Sequence, residues 1–362
     1  FEASNIVLDG TLVYLSDQNG GGLKCFDVTT PDQPRLRTVI SGGASYGIAV
    51  NGKAYLASGD SGLKVIDIGI AAEPRQVGYF STSQTREVFI SDHYAYVADG
   101  WEGFKIYDIS NPVKPVKKGD ISSLNAEIRG VAVSGDYAYL GCGDQGFKVV
   151  DISSPDAPAI VGNLSGAGYQ YWEVLVSGSY AYVKGRKDEW ANDGLIIVNI
   201  NTPANPSQAG TIEVGSWFDR FDKAGDYVYL ASGNNGLRII DVSNPASPEE
   251  AGSIGLNNNA LDVSVLGSYA YVANNSGGLY VVDITDPVKP VLSGISESQN
   301  TIRVAAIEGY VFTFTEKGVN VFDAAQPKAP ILIGTMEYGP DWWERQIIAA
   351  NGYLYLSGQD RG

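Results

Sequence analysis

The chain has 362 residues, with 44 Gly, 22 Tyr and a single Met, and its apolar residues are mixed with turn formers throughout; this composition suits many short strands joined by tight turns and argues against a helical protein. Lys and Arg number 25 against 41 Asp and Glu, a formal net charge of −16, so a nucleic-acid partner or an anionic membrane surface is not expected, because binding there rests on concentrated positive charge. No apolar run approaches the ~20 residues needed to span a bilayer.

Two motifs alternate along the whole chain. One is Gly followed by an alternating aromatic strand, as in Ser134-Gly135-Asp136-Tyr137-Ala138-Tyr139-Leu140, with its anchor aromatic at Tyr14, Tyr55, Tyr96, Tyr139, Tyr182, Tyr229, Tyr271, Phe312 and Tyr355. The other is the Gly-Leu-Lys-Val-Ile-Asp-Ile type at Gly62 to Ile68 and Gly236 to Val242, with its closing acid or amide at Asp27, Asp67, Asp108, Asp151, Asn199, Asp241, Asp283 and Asp323. Both step by about 43 residues, the length of a propeller blade.

Four strands fit within one period. Strand a is Gly47-Ile48-Ala49-Val50, strand b Ala54 to Ala57, strand c Leu63 to Ile68 and strand d Gln76 to Phe80, with turns at Asn51-Gly52 and Asp60-Ser61-Gly62. A lone four-stranded sheet cannot cover both faces, whereas copies arranged radially bury each sheet between its neighbours. The expected fold is therefore all-β, a β-propeller of about eight four-stranded blades. One domain over residues 1–362 is expected, with eight full repeats and a partial ninth at 342–362. Proline pairs three apart, such as Pro112 and Pro115, Pro155 and Pro158, Pro203 and Pro206, and Pro287 and Pro290, fix the link from strand c to strand d. The acid before each link is placed to accept backbone N–H bonds as an Asx turn, a more economical reading of the eight-fold repetition than a ring of calcium ligands.

The run Gly-Leu-Arg-Ile-Ile-Asp-Val-Ser-Asn-Pro at Gly236 to Pro245, with Tyr-Ala-Tyr-Val strands before its counterparts in other repeats, resembles the LVIVD-repeat family over nearly the whole chain. That resemblance implies a bacterial or archaeal propeller that is exported or surface-exposed, so an extracytoplasmic location is expected. The fifth repeat departs most, with Asn199 for Asp and an insertion at Arg186 to Asp193, and the second lacks the first Pro of its pair. Cys25 and Cys142 lie in strands of different repeats and read as small core residues with no disulfide between them. Low cysteine use suits a cytosolic and an exported protein alike, and the lack of a signal peptide in the sequence is expected of a mature or a trimmed chain and decides no compartment.

In a propeller the d–a and b–c connections share one face and the a–b and c–d connections the other. The second face is uniform here, with Ser-Gly turns and Pro links. All six tryptophans map to the first: Trp101 and Trp190 to b–c loops, Trp217, Trp342 and Trp343 to d–a loops, and Trp172 to the start of a strand a, with Tyr169, Tyr171, Phe218 and Tyr338 beside them. Such aromatics stack on sugars or anchor a protein partner, or else cover the ends of the core between blades. Aligned at the entrance of strand a are Tyr46, Arg86, Arg129, Trp172, Asp219, Leu261, Arg303 and Gln346, followed by Gly47, Glu87, Gly130, Glu173, Arg220, Asp262, Val304 and Ile347. They predict a polar channel mouth above a narrower apolar throat, able to bind a carboxylate or phosphate through arginine or to neutralise itself in pairs such as Arg86 with Glu87.

Enzyme chemistry has little to work with. The single histidine, His93, falls in an a–b turn, so no Ser-His-Asp or Cys-His arrangement and no histidine metal site can be assembled, and no phosphate loop appears. The candidate ligand-binding residues are Tyr46, Arg86, Glu87, Arg129, Tyr171, Trp172, Glu173, Trp190, Trp217, Asp219, Arg220, Asp262, Arg303, Trp342 and Trp343, with no catalytic residue, metal or cofactor among the expectations. The leading expectation is a non-enzymatic binding or scaffolding propeller for a protein or glycan; the alternative is a glycan-active hydrolase or lyase using the mouth carboxylates. The fifth repeat, with Tyr169 to Glu173 before its insertion and Ser216 to Asp222 after it, is the preferred sector.

Overall fold

Each repeat forms a four-stranded antiparallel sheet in meander order. Among the described residues there are eight such sheets, one two-stranded sheet and no helix. The computed structural model describes the strands between residues 3 and 80 and between 342 and 360 as backbone, and most residues from 82 to 333 with side chains, leaving out 83–84, 112–113, 123, 166–167, 188–192, 216, 219, 297–299 and scattered positions beyond 304.

The fourth repeat shows how the sequence builds a blade. Its strands are Gly130–Ser134, Tyr137–Gly141, Phe147–Asp151 and Ala159–Leu164. Strand b runs Tyr137-Ala138-Tyr139-Leu140-Gly141, and its last four residues are all buried, so both faces of the sheet are covered. Tyr139 stacks on Phe147, with ring centroids 6.0 Å apart. The outermost strand returns to solvent, with exposed Ala159, Ile160 and Asn163. A β-bulge recurs at one place in the pairing of strands c and d, between Ile106 and Tyr107, Val149 and Val150, Ile197 and Val198, Ile239 and Ile240, and Val281 and Val282. It bends each outer strand at the same point.

The chain divides into two compact units. One holds Gly43–Gly215 with Pro245–Ser247, hence the four consecutive blades of repeats two to five; the other holds Phe1–Gly42, Ser216–Asn244 and Pro248–Gly362. In the latter, the surplus hairpin of Trp342–Ala350 and Tyr353–Asp360 is a separate two-stranded sheet that packs on Ala3–Asp9 of the first repeat and on Thr301–Ile307 of the eighth.

Neighbouring blades within each unit are joined by two recurring devices. On the loop face, backbone bridges tie one blade's b–c turn to the next blade: Gly100 to Ile128, Gly143 to Tyr171, Gly233 to Ala260 and Asn275 to Thr301. The turn residues have positive φ, 56°, 51°, 55° and 42°, which glycine and asparagine tolerate. On the opposite face, the glycine of each outer strand receives the proline link of the next blade. Gly119 faces Pro155 and Pro158, Gly162 faces Pro203 and Pro206, and Gly252 faces Pro287 and Pro290.

The acids before the links are turn formers, as the repeats predict. Asp108, Asp151, Asp241, Asp283 and Asp323 each accept the backbone N–H two residues on, at 2.8–3.0 Å. Asn199 accepts the same bond from Asn201 at 2.9 Å, which explains why the fifth repeat tolerates the amide. Hydrogen bonds from Thr285 and from the Lys328 ammonium hold the Asp283 carboxyl down to about 2, and bonds from Ser110 and Ser153 lower Asp108 and Asp151. A carboxyl depressed by folding adds stability that is present above its unfolded value, about 4, and is lost as pH falls through the folded one. Denaturant unfolding measured from pH 7 to pH 2 should therefore lose stability below about pH 4. Asp283→Asn, which retains an acceptor for Thr285, should make that decline shallower; an unchanged slope would mean the turn contributes nothing to acid sensitivity.

Candidate functional site

The site starts from an irregular strand. Gln170–Ser177, strand a of the fifth repeat, carries a bulge between Tyr171 and Val174, which breaks the alternation at Trp172 and Glu173. Tyr171 turns fully into the core with Tyr139 and Phe147, and exchanges two 3.0 Å backbone hydrogen bonds with Gly143 of the preceding blade. The Trp172 carbonyl fits into space left by Gly130 and Gly141, which are register partners in that blade. A Cβ on either glycine would overlap the carbonyl oxygen.

The Trp172 ring carries two guanidiniums, Arg129 at 4.7 Å and Arg186 at 4.5 Å from its centroid. Arg129 donates through Nε and Nη2 to Oε2 of Glu127, at 2.9 and 2.8 Å. Arg86 approaches Oε1 of the same carboxylate through Nε at 3.1 Å and Nη2 at 2.9 Å. Arg186 donates through Nε to the fully buried Asp193 at 3.0 Å, and Lys184 lies 3.6 Å from the other oxygen of Asp193. Glu127, Arg129, Trp172 and Arg186 border a cavity of about 580 Å³. Trp101, Asp144 and Gln170 line it together with Trp172, Arg129 and Arg186. Trp101 stands 59% exposed in the b–c turn of the third repeat, so its indole face is open to a ligand.

The fifth-repeat insertion is less of a loop than its sequence predicts. Strand b extends over Tyr180–Arg186 and strand c over Asp193–Asn199, with Arg186 opposite Asp193. The cross-strand ion pair and the burial of Asp193 draw these residues into the sheet. Lys187 then pairs with Glu213, which also accepts the Tyr169 hydroxyl at 2.9 Å.

The other candidates fall into distinct roles. Glu87 accepts the backbone N–H of Val131, in the next blade, at 2.7 Å. Asp262, 8% exposed, does the same for Val304 at 3.1 Å, and Asp222 for Val265 at 2.8 Å. These carboxylates join inner strands of adjacent blades, and Arg86 pairs with Glu127. Burial pushes Asp262 up to about 6 against the opposing pull of Arg303 and Arg220. Arg303 is buried and donates to the carbonyl of Ile302 at 3.1 Å, while Arg220 is half-buried. Glu173 is half-buried in the bulge. Of the aromatics, Tyr169, Tyr171 and Phe218 are covered, whereas Trp217 is 40% exposed beside Gly233. Trp342 and Trp343 belong to strand Trp342–Ala350 rather than to a loop. Tyr46, Trp190, Asp219 and Tyr338 lie outside the described residues. Cys142 sits one residue past strand Tyr137–Gly141, buried, with its thiol pushed up to about 12 by desolvation. His93 is an exposed turn residue. Among the described residues no cluster of three or more His, Cys, Asp or Glu could hold a metal ion, and no helix is long and apolar enough to cross a membrane.

Glu127, Asp144 and Gln170 escape the strand-entrance alignment because they stand in turns or just before the aligned positions. Gln170 falls within the Tyr169 to Glu173 segment of the preferred sector, whereas the only signal for Glu127 and Asp144 is proximity to Arg129, Trp101 and Trp172 once the blades are stacked.

Six copies of the LVIVD repeat match the sequence, at residues 42–82, 83–122, 127–165, 170–214, 224–255 and 258–297. The chain belongs to the LVIVD repeat family. The pocket of this LVIVD-repeat protein is built wholly from the second, third and fourth matched copies. Among solved structures it is similar to Sqt1 from Saccharomyces cerevisiae, at 8% identity and a TM-score of 0.67 over 93% of this chain and 96% of the other. It also resembles apo AztD from Citrobacter koseri (17% identity, TM-score 0.61, 83% and 88% covered) and BamB from Moraxella catarrhalis (12%, 0.61, 87% and 92%). At such identities these likenesses carry the fold, a β-propeller, alone. No curated protein matches the sequence.

Proposed function

We propose that this LVIVD-repeat chain is a non-enzymatic, extracytoplasmic binding propeller that captures a glycan in the pocket between Trp101 and Trp172. The observation that carries this reading is the pairing of an open indole, Trp101, with Asp144, Gln170 and Arg129 around one cavity of about 580 Å³. A sugar offers an apolar C–H face to an aromatic plate and a rim of hydroxyls to side-chain donors and acceptors, which is the combination found here. Glu87 and Asp262 spend oxygens on backbone N–H groups of the next blade, which favours a binding role over carboxylate catalysis. The extracytoplasmic location rests on the family's habit of export.

A glycan array probed with the chain and with Trp101→Ala tests the reading. Binding to a defined set of glycans, weakened about fivefold to thirtyfold in the variant, is expected, since stacking on an indole contributes about 1–2 kcal/mol. Undiminished binding by Trp101→Ala would overturn the site; capture of proteins with no glycan bound would overturn the ligand class.

A further inference from the structure

We infer that the pocket selects an anionic sugar, its acidic group held by the free edges of Arg129 and Arg186; this rests on the glycan reading above. Both arginines line the cavity. Among the described residues, Arg129 uses only Nε and Nη2, both on Glu127, and Arg186 only Nε, on Asp193. Nη1 of Arg129 and both Nη atoms of Arg186 therefore keep donors for a ligand. Their guanidinium planes are held in place by the ion pairs and by the Trp172 ring, so little side-chain freedom is lost on binding. A planar fork of this kind recognises carboxylate, sulfate or phosphate oxygens in preference to hydroxyls. Positive donors in a cleft are notable in a chain of net charge −16, which repels anions at long range. Asp144 supplies the complementary acceptor, suited to hydroxyl groups on the same sugar and adverse to a second acidic group beside it. The predicted ligand is thus a sugar with one acidic substituent directed at the arginines and hydroxyls directed at Asp144 and Gln170.

Calorimetric titration with three tetrasaccharides tests this: one containing uronic acid, its carboxyl-reduced neutral form, and a sulfated form. The uronate or the sulfated probe should bind at least about tenfold more tightly than the neutral one, and that preference should shrink as salt rises. The stronger of the two identifies the acidic group. Arg129→Gln, which leaves Glu127 paired with Arg86, and Arg186→Lys, which keeps a cation for Asp193, should each reduce the acidic-over-neutral preference several-fold. Equal binding of all three probes, or a preference untouched by both variants, would overturn the anion selection while leaving the glycan reading intact. Failure of every probe in the titration and of every glycan on the array would overturn both.

Discussion

Gly162→Ala is expected to destabilise the protein by about 2–3 kcal/mol, because the added methyl meets backbone of the next blade. Gly162 pairs with Val149 at the bulge of the fourth blade's outer strand. A Cβ there would overlap the Pro203 carbonyl oxygen and come within 2.7 Å of Pro206 Cδ. Neither atom can swing aside, because proline fixes φ on both sides of the link and the preceding Asn199 holds the turn from below. Relief requires the two blades to part, and close-packed interiors resist that. Gly255 provides the control: an added Cβ there meets no atom within 4 Å and its φ lies outside the positive range, so Gly255→Ala should be nearly neutral. Urea unfolding of the two variants side by side makes the comparison. Equal midpoints would mean that the proline links do not hold the blades together.

The fold was readable because its signals repeat. An aromatic strand and a closing acid at a fixed interval specify the strands, and the proline pairs specify where each blade leaves its third strand. The observed strands Gly47–Val50, Lys53–Ala57, Leu63–Asp67 and Arg75–Phe80 match the sequence reading to within a residue. The site was less readable, since it depends on contacts between repeats. Glu87 looks like a partner for the adjacent Arg86, yet it accepts from Val131 N–H, 44 residues on, and unlike the local Asx turns a bond to so distant an amide has no local sequence signature. Arg86 and Arg129 converge on Glu127, which lies before the aligned positions and therefore outside any column of repeats. The stretch Arg186 to Asp193 reads as loop from its polar composition, but burial of Asp193 against Lys184 and Arg186 overrides that tendency at both ends. Aromatic content on one face was likewise a mixture: Tyr169, Tyr171 and Phe218 seal the core, and Trp101 and Trp217 are left for solvent or a ligand.

Gly141→Ala should remove the pocket as well as lower stability, by about 1–3 kcal/mol, because the two depend on one close approach. Gly141 closes strand b of the fourth blade opposite Gly130, and an added Cβ would overlap the Trp172 carbonyl oxygen and lie 3.0 Å from that of Tyr171. The obstacle is backbone on both counts, so the bulge of the fifth blade must lift as a unit. Lifting it carries the Trp172 ring away from Arg129, which stays with the fourth blade through Glu127, and breaks one of the two cation–π contacts that fix the arginines. Binding of the acidic tetrasaccharide should fall about tenfold, as expected for a lost charge-assisted contact. The clash with backbone also makes a double variant informative. Trp172→Ala removes the ring but leaves the carbonyl, so the stability cost of Gly141→Ala should be the same in either background to within about 0.5 kcal/mol. Rescue of Gly141→Ala by Trp172→Ala would instead place the conflict at the indole, and the glycines would then be shaping the ring's position rather than admitting the strand.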